Sequence, residues 1–248
     1  MSFIRSFIEW AADRKRKYAP AKLTFAINAK GKSYEYFGKV DLKNIFDNLP
    51  KFTQNSWQFW IVIIELYTSG RIGEVASIRT EYIFEKSALH VLRLSGTKTD
   101  SSDRIIPIHQ DLVKLGFLDF VESRRKSKND MLFDITFSGQ NGACAQTSKF
   151  FTEFKSAIGI TDPLKVFHSF RHTINDLMNQ AGVNEKAGSQ YRGHAGSGGV
   201  RNKIYGRNLL SIEVMQAEVV DKINWKKYCS WEPDFELLKE KANTLLSK

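Results

Sequence analysis

YIFEKSALHVLRLSGTKTDSSDRIIPI, residues 82–108, decides the fold. Three runs rich in apolar and β-branched residues, YIFE, ALHVLRL and RIIPI, are parted by short breaks, the longest being the turn-like SGTKTDSSD. Such runs bounded by Gly, Ser, Asp and Thr clusters read as strands. They predict a small antiparallel sheet with strands at 88–94 and 104–108 and a hairpin tip around Lys98. On either side the apolar spacing is helical. Upstream, NSWQFWIVIIELYTSG (55–70) predicts a helix buried on most sides, opened near Thr53 and stopped by Gly70. Before it, Asp41 caps a helix through about Asn48. Downstream, helical periods return at 111–127, 147–158, 169–181 and 208–223. The expectation is a mainly α protein with one three-stranded antiparallel insert, an α+β fold.

The 248 residues carry 37 Lys and Arg against 27 Asp and Glu, a net charge of +10, which favours a polyanionic partner through counterion release. With 42% hydrophobic and 12% aromatic residues there is material for a sizeable core, which argues against a disordered chain. The longest apolar run, Phe59–Leu66, falls short of the roughly 20 residues of a membrane helix and contains Glu65. MSFIRSFIEWAADRKRK at the start is amphipathic and basic and lacks the layout of a secretory signal. Cys144 and Cys229 are too few for a disulfide framework or a cysteine metal site. A cytoplasmic protein without membrane contact is expected.

Candidate chemistry is spread over four short stretches. In LYTSGRIGEV (66–75), Arg71 leaves the end of the buried helix with little freedom, as a fork that suits bidentate phosphate binding, and Glu74 is within helical reach to hold it. Lys98 sits at the hairpin tip, from where a lysine reaches a minor groove and donates a proton. HSFRHT (168–173) sets His168 and Arg171 on one face at a helix start, which favours anions. His168 and His172 also have the spacing of a zinc pair, but Ser169 stands where that motif needs Glu, and no third ligand is evident. No metal and no cofactor are expected. YRGHAGSGGVRNKIYGRN (191–208) carries His194, then a glycine-rich stretch, then Tyr205 between Lys203 and Arg207. Each signal alone has an ordinary reading: a surface ion pair, a solvated hairpin lysine, an interface tyrosine.

The order Arg, Lys, His-x-x-Arg, His, Tyr along the chain resembles the tyrosine recombinase or phage integrase family. TSGRIGEVASI, RIIPIHQDLVKLGFLDFVE and HSFRHT resemble that family's first-arginine segment, the stretch after its hairpin and its second box, and the match runs from about Asp41 to about Trp225. The resemblance implies the tyrosine recombinase catalytic-domain fold and a site-specific DNA recombinase, or integrase, that integrates or excises a mobile element. In it Arg71 and Arg171 clamp the scissile phosphate, Lys98 is the general acid, His168 assists proton transfer and His194 adds a phosphate contact. Tyr205 attacks phosphorus to leave a 3′-phosphotyrosine, and Glu74 supports Arg71.

It further implies double-stranded DNA carrying the recombination sites as partner, a homo-tetramer on DNA from a free monomer, and an accessory DNA-bending protein. Residues 1–38 read as an N-terminal helix (2–17, capped by Ser2) and linker, a remnant of a core DNA-binding domain. Residues 39–225 read as the catalytic domain, and 226–248 as a helical tail suited to docking on a protomer or to covering its own core. The family's DNA-binding domain of roughly 80 to 100 residues exceeds what precedes residue 39. A DNA-binding or regulatory protein of the same fold that does not recombine DNA is therefore the alternative. A metal-dependent nuclease is a further rival.

Overall fold

A computed structural model describes residues 33–95, 103–136, 143–193 and 209–247. The expected helix at 2–17 lies outside them. The first described helix, α1 (Lys39–Phe52), starts at Gly38, whose N–H donates to the Asp41 carboxylate over 2.8 Å. Asp41 thus sits inside the first turn instead of capping it, because a carboxylate three residues into a helix can reach back to the capping residue's own amide. Leu42, Ile45, Phe46 and Leu49 form its buried stripe. The Thr53 hydroxyl donates to the Leu49 carbonyl, so Thr53 closes α1 rather than opening the next helix. Asn55 caps α2 (Ser56–Thr68), and the Gln58 side chain accepts from the Asn55 amide at 3.1 Å. Trp57 and every residue from Phe59 to Thr68 are buried, so α2 is the central rod of the core.

α2 stops at Ser69, in the left-handed region with φ 52°, and the chain turns into the short α3 (Ile72–Ala76). A three-residue 3-10 turn at Thr80–Tyr82 leads to β1 (Ile83–Lys86), β2 (Leu89–Leu94) and β3 (Arg104–Pro107). They form one antiparallel sheet in the order β1-β2-β3, with Ile83 opposite Leu92 and Leu94 opposite Arg104. Ser87 and Ala88, both at positive φ, make the tight turn between β1 and β2. Pro107 lies on the edge strand β3, where a missing amide is tolerated. The small antiparallel sheet expected from residues 82–108 is therefore present.

The helix expected at 111–127 is two, α4 (Gln110–Lys114) and α5 (Phe117–Lys126). Gly116 separates them at φ 89°, a conformation that ends one helix and lets the next start in a new direction. α6 (Ala143–Ala157), α7 (Ser169–Gln180) and α8 (Glu185–Arg192) follow. The predicted 208–223 segment is shorter, α9 (Ile212–Glu218) and then a 3-10 turn at Val220–Lys222. α10 (Trp225–Cys229) and α11 (Phe235–Leu246) complete the order, and α11 packs on α1 and α2 with Leu238, Ala242 and Leu245 buried. The tail thus covers core of its own chain. No helix among the described residues is long and apolar enough to cross a membrane.

α7 is bound into the core by aromatic packing. The Phe170 ring lies 4.8 Å from Phe37, 5.1 Å from Phe151 and 5.5 Å from Phe167, centroid to centroid. Tilted and edge-on pairs of this kind add to the burial of the rings themselves. Phe170→Ala is expected to cost about 3–5 kcal/mol of stability in urea unfolding, from lost transfer energy and the cavity left behind. A loss under about 1 kcal/mol means that this cluster does not hold α7.

Candidate functional site

The site forms where α2 turns into α3. Gly70 lies against Val75 so closely that a Cβ there would stand 2.4 Å from Val75 Cγ2, which explains a glycine at the corner. Arg71 is the capping residue of α3, and Glu74 in the first turn reaches back to it twice. Glu74 Oε2 accepts from the Arg71 amide at 3.1 Å, and Oε1 accepts from Arg71 Nη1 at 2.6 Å. The Glu74 side chain is 3% exposed while that of Arg71 is 43% exposed, so a buried carboxylate aims a half-open guanidinium.

Sequence reasoning missed the second partner of Glu74. Arg104 Nη1 donates to Glu74 Oε2 at 3.0 Å, and Arg104 Nε donates to the Tyr191 carbonyl at 2.7 Å. Burial acts to raise the Glu74 carboxyl, but the Arg104 charge and then the Arg71 bonds outweigh it and hold the group below its usual range. Strand alternation could have found Arg104, because in β3 it falls on the same face as the buried Ile106.

Arg171, in the first turn of α7, ties the remaining segments to this corner. Its Nη1 donates to the Ser69 carbonyl at 2.5 Å, two residues before Arg71, and its Nη2 donates to the Arg192 carbonyl at 2.8 Å, two residues before His194. Burial, then repulsion from Arg71 and Arg104, lowers its pKa to about 10, which still leaves it charged at neutral pH. His168 precedes α7 and makes no side-chain bond to the helix amides. Its ring stands 5.0 Å from that of His172, nearly perpendicular. Burial, then His172, Arg171 and Arg71, lowers the His168 pKa to about 4, so its ring is neutral at physiological pH.

Among the described residues, three arginines thus surround one paired carboxylate. Behind them Glu65, 1% exposed, has neither carboxyl oxygen in a hydrogen bond, and burial pushes its pKa well up despite the opposing charge of Arg171. Burial thus favours the neutral acid at Glu65, which leaves Glu74 as the carboxylate paired with the arginines, an arrangement that favours an anion beside them. Of the residues expected to act together, Arg71, Glu74, His168 and Arg171 are brought into one place. Lys98, His194 and Tyr205 lie outside the described residues. No third His, Cys, Asp or Glu among the described residues joins His168 and His172 in a metal-binding group.

A mainly helical body carrying a small antiparallel sheet is the architecture of tyrosine recombinase catalytic domains. The chain belongs to the phage integrase family, whose sequence profile matches residues 35–208. A XerH site-specific recombinase on a palindromic difH substrate, in a post-cleavage complex, superposes with a TM-score of 0.58 at 14% identity, over 99% of this chain and 65% of that one. The integrase from mycobacterium phage Brujita gives 0.55 at 13% identity, over 94% and 72%. The XerH pre-cleavage complex on difH gives 0.54 at 16% identity, over 77% and 56%. At these identities the likeness is one of fold, and the chain spans 56% to 65% of the length of the two XerH structures. No curated protein sequence matches the chain.

The lowered His168 pKa gives a pH signature. Folding favours the neutral ring, so its contribution to stability is whole above the ordinary value of 6.5 and is lost as pH falls through about 4. His168→Gln is expected to flatten the dependence of unfolding free energy on pH between those values. An unchanged profile means that His168 is not desolvated beside the arginines.

Proposed function

We propose that this chain is a site-specific DNA recombinase that cuts and rejoins strands through a covalent bond to Tyr205. The observation that carries this reading is the convergence of Arg71 and Arg171 beside a neutral His168, at a corner where the guanidiniums of Arg71 and Arg104 share the buried carboxylate of Glu74. A phosphodiester needs positive donors at its non-bridging oxygens that strengthen their hold as charge develops, and two guanidinium forks supply them. Arg171 spends one N–H on each of two backbone carbonyls, which fixes its plane and leaves its other donors for phosphate.

The Tyr205 oxygen forms the new bond to phosphorus as the bond to the 5′ oxygen breaks. The phenolic proton passes to His168, which is able to accept it because its ring is neutral, and Lys98 protonates the departing 5′ oxygen, which leaves as a hydroxyl. His194 adds a phosphate contact. The phosphotyrosine keeps the energy of the original ester, so the reverse attack by a 5′ hydroxyl rejoins a strand without a nucleotide cofactor. As phosphate enters, its charge offsets the repulsion from Arg71 and Arg171 and raises the His168 pKa, which makes that ring a better base.

Residues 39–225 are the catalytic domain in this reading, double-stranded DNA is the substrate, and the XerH complexes on difH support DNA as the partner. Strand exchange between two duplexes calls for four protomers on DNA, with an accessory DNA-bending protein aiding their assembly.

A suicide duplex that loses a short fragment after cleavage traps the intermediate. The chain is expected to give a protein–DNA adduct that survives denaturation and forms in a chelator, that Tyr205→Phe abolishes, and that Arg71→Ala or Arg171→Ala slows by about 10²-fold or more. An adduct retained by Tyr205→Phe overturns the assignment. Salt-dependent DNA binding with no adduct identifies a regulatory protein of this fold instead.

A further inference from the structure

Arg104 does more than pair with Glu74. Its side chain crosses from the start of β3 to the end of α8 and lies flat against the backbone of Gly193. A Cβ on Gly193 would stand 2.7 Å from Arg104 Nη1, 3.0 Å from Cδ and 3.1 Å from Cζ. Gly193 also has φ 66°, a left-handed conformation that caps α8. Glycine is therefore required there twice, once by the backbone and once by the guanidinium packed on it. In the sequence the next residue is His194. One guanidinium thus bonds the Glu74 carboxylate that holds Arg71, bonds the Tyr191 carbonyl, and packs on the residue that opens the segment leading to Tyr205.

Stability alone is a poor reason for this arrangement. Arg104 is 8% exposed, and its charge repels Arg71 and Arg171. Replacing a buried ion pair by apolar residues of like volume is often neutral or stabilising. What an apolar residue could not do is hold Glu74 Oε2 and the Tyr191 carbonyl in fixed relation, since both need a donor.

We propose that Arg104 is a positioning residue of the phosphate site, setting the direction of Arg71 through Glu74 and fixing the chain at Gly193 where the segment carrying His194 and Tyr205 begins. The role rests on the reading of the site as a strand-cleaving centre. Lysine at 104 keeps the charge but lacks the fork that serves Glu74 and Tyr191 together. Alanine at 193 keeps Arg104 but pushes it off its seat.

Two readouts on the full chain test this: the single-turnover rate of adduct formation on the suicide duplex, with DNA affinity measured separately, and hydrogen exchange at Arg71 Nε–H by NMR. Arg104→Lys and Gly193→Ala are each expected to lower the rate about tenfold or more and to speed exchange at Arg71, with DNA affinity within about threefold of the parent. Because both break one contact, the double variant should fall no further than about threefold below the worse single one. Multiplying effects, or a folded variant with unchanged rate and unchanged Arg71 exchange, overturn the proposal. Should Arg104→Lys not fold, Gly193→Ala decides, since Gly193 is not part of the core. If the parent forms no adduct, the strand-cleavage reading fails, and Arg71 exchange alone decides the positioning role.

Discussion

Taking the Glu74 carboxylate out of water costs several kcal/mol, and it stays buried because two guanidiniums and a backbone amide close around it. Those contacts bind together parts of the chain that no local pattern connects: the corner after α2, the start of β3 and, through Arg104, the end of α8. Arg171 closes the same circuit from α7, by way of the Ser69 and Arg192 carbonyls. The hydrophobic core supplies the stability, and α2, buried along nearly its whole length, is the rod against which the helices lie. The polar circuit on its C-terminal end determines where the positive charges sit.

That circuit is unbalanced. Arg71, Arg104 and Arg171 face one ionised carboxylate, while burial favours the neutral acid at Glu65 and the neutral ring at His168. Charge that the protein does not neutralise from within is available to a ligand, and in a partly dry site it acts more strongly than on an open surface. Burial first, and then repulsion from Arg71 and Arg104, lowers the Arg171 pKa. A bound phosphate relieves this repulsion, so the same arrangement that strains the free protein favours an anionic occupant.

Much of this was legible in the sequence. The buried run around Phe59–Leu66 and the β-branched stretches of residues 82–108 announce themselves, because an element buried on all sides and a half-buried strand leave distinct patterns. Arg71, His168 and Arg171 stood out only as members of an ordered set, since each has an ordinary reading alone, and Glu74 only by its helical reach to Arg71. For Arg104 only the strand alternation with Ile106 was a signal, and a faint one, because at the head of RIIPI it looks like the end of a turn, and its partners Glu74 and Tyr191 are 30 and 87 positions away. Glu65 registered only as an interruption of an apolar run. Helix boundaries failed for local reasons: the Thr53 hydroxyl turned back to Leu49, and Gly116 broke one predicted helix into two.

Whether Arg71 and Arg171 grip one scissile phosphate is decided by a crystal structure of the Tyr205→Phe chain on an uncut recombination site. One backbone phosphate is expected to be bonded by both Arg71 and Arg171 with the His168 ring beside it, and Glu74 and Arg104 unmoved behind them. DNA seated on another face, with those two guanidiniums touching no common phosphate, would contradict it.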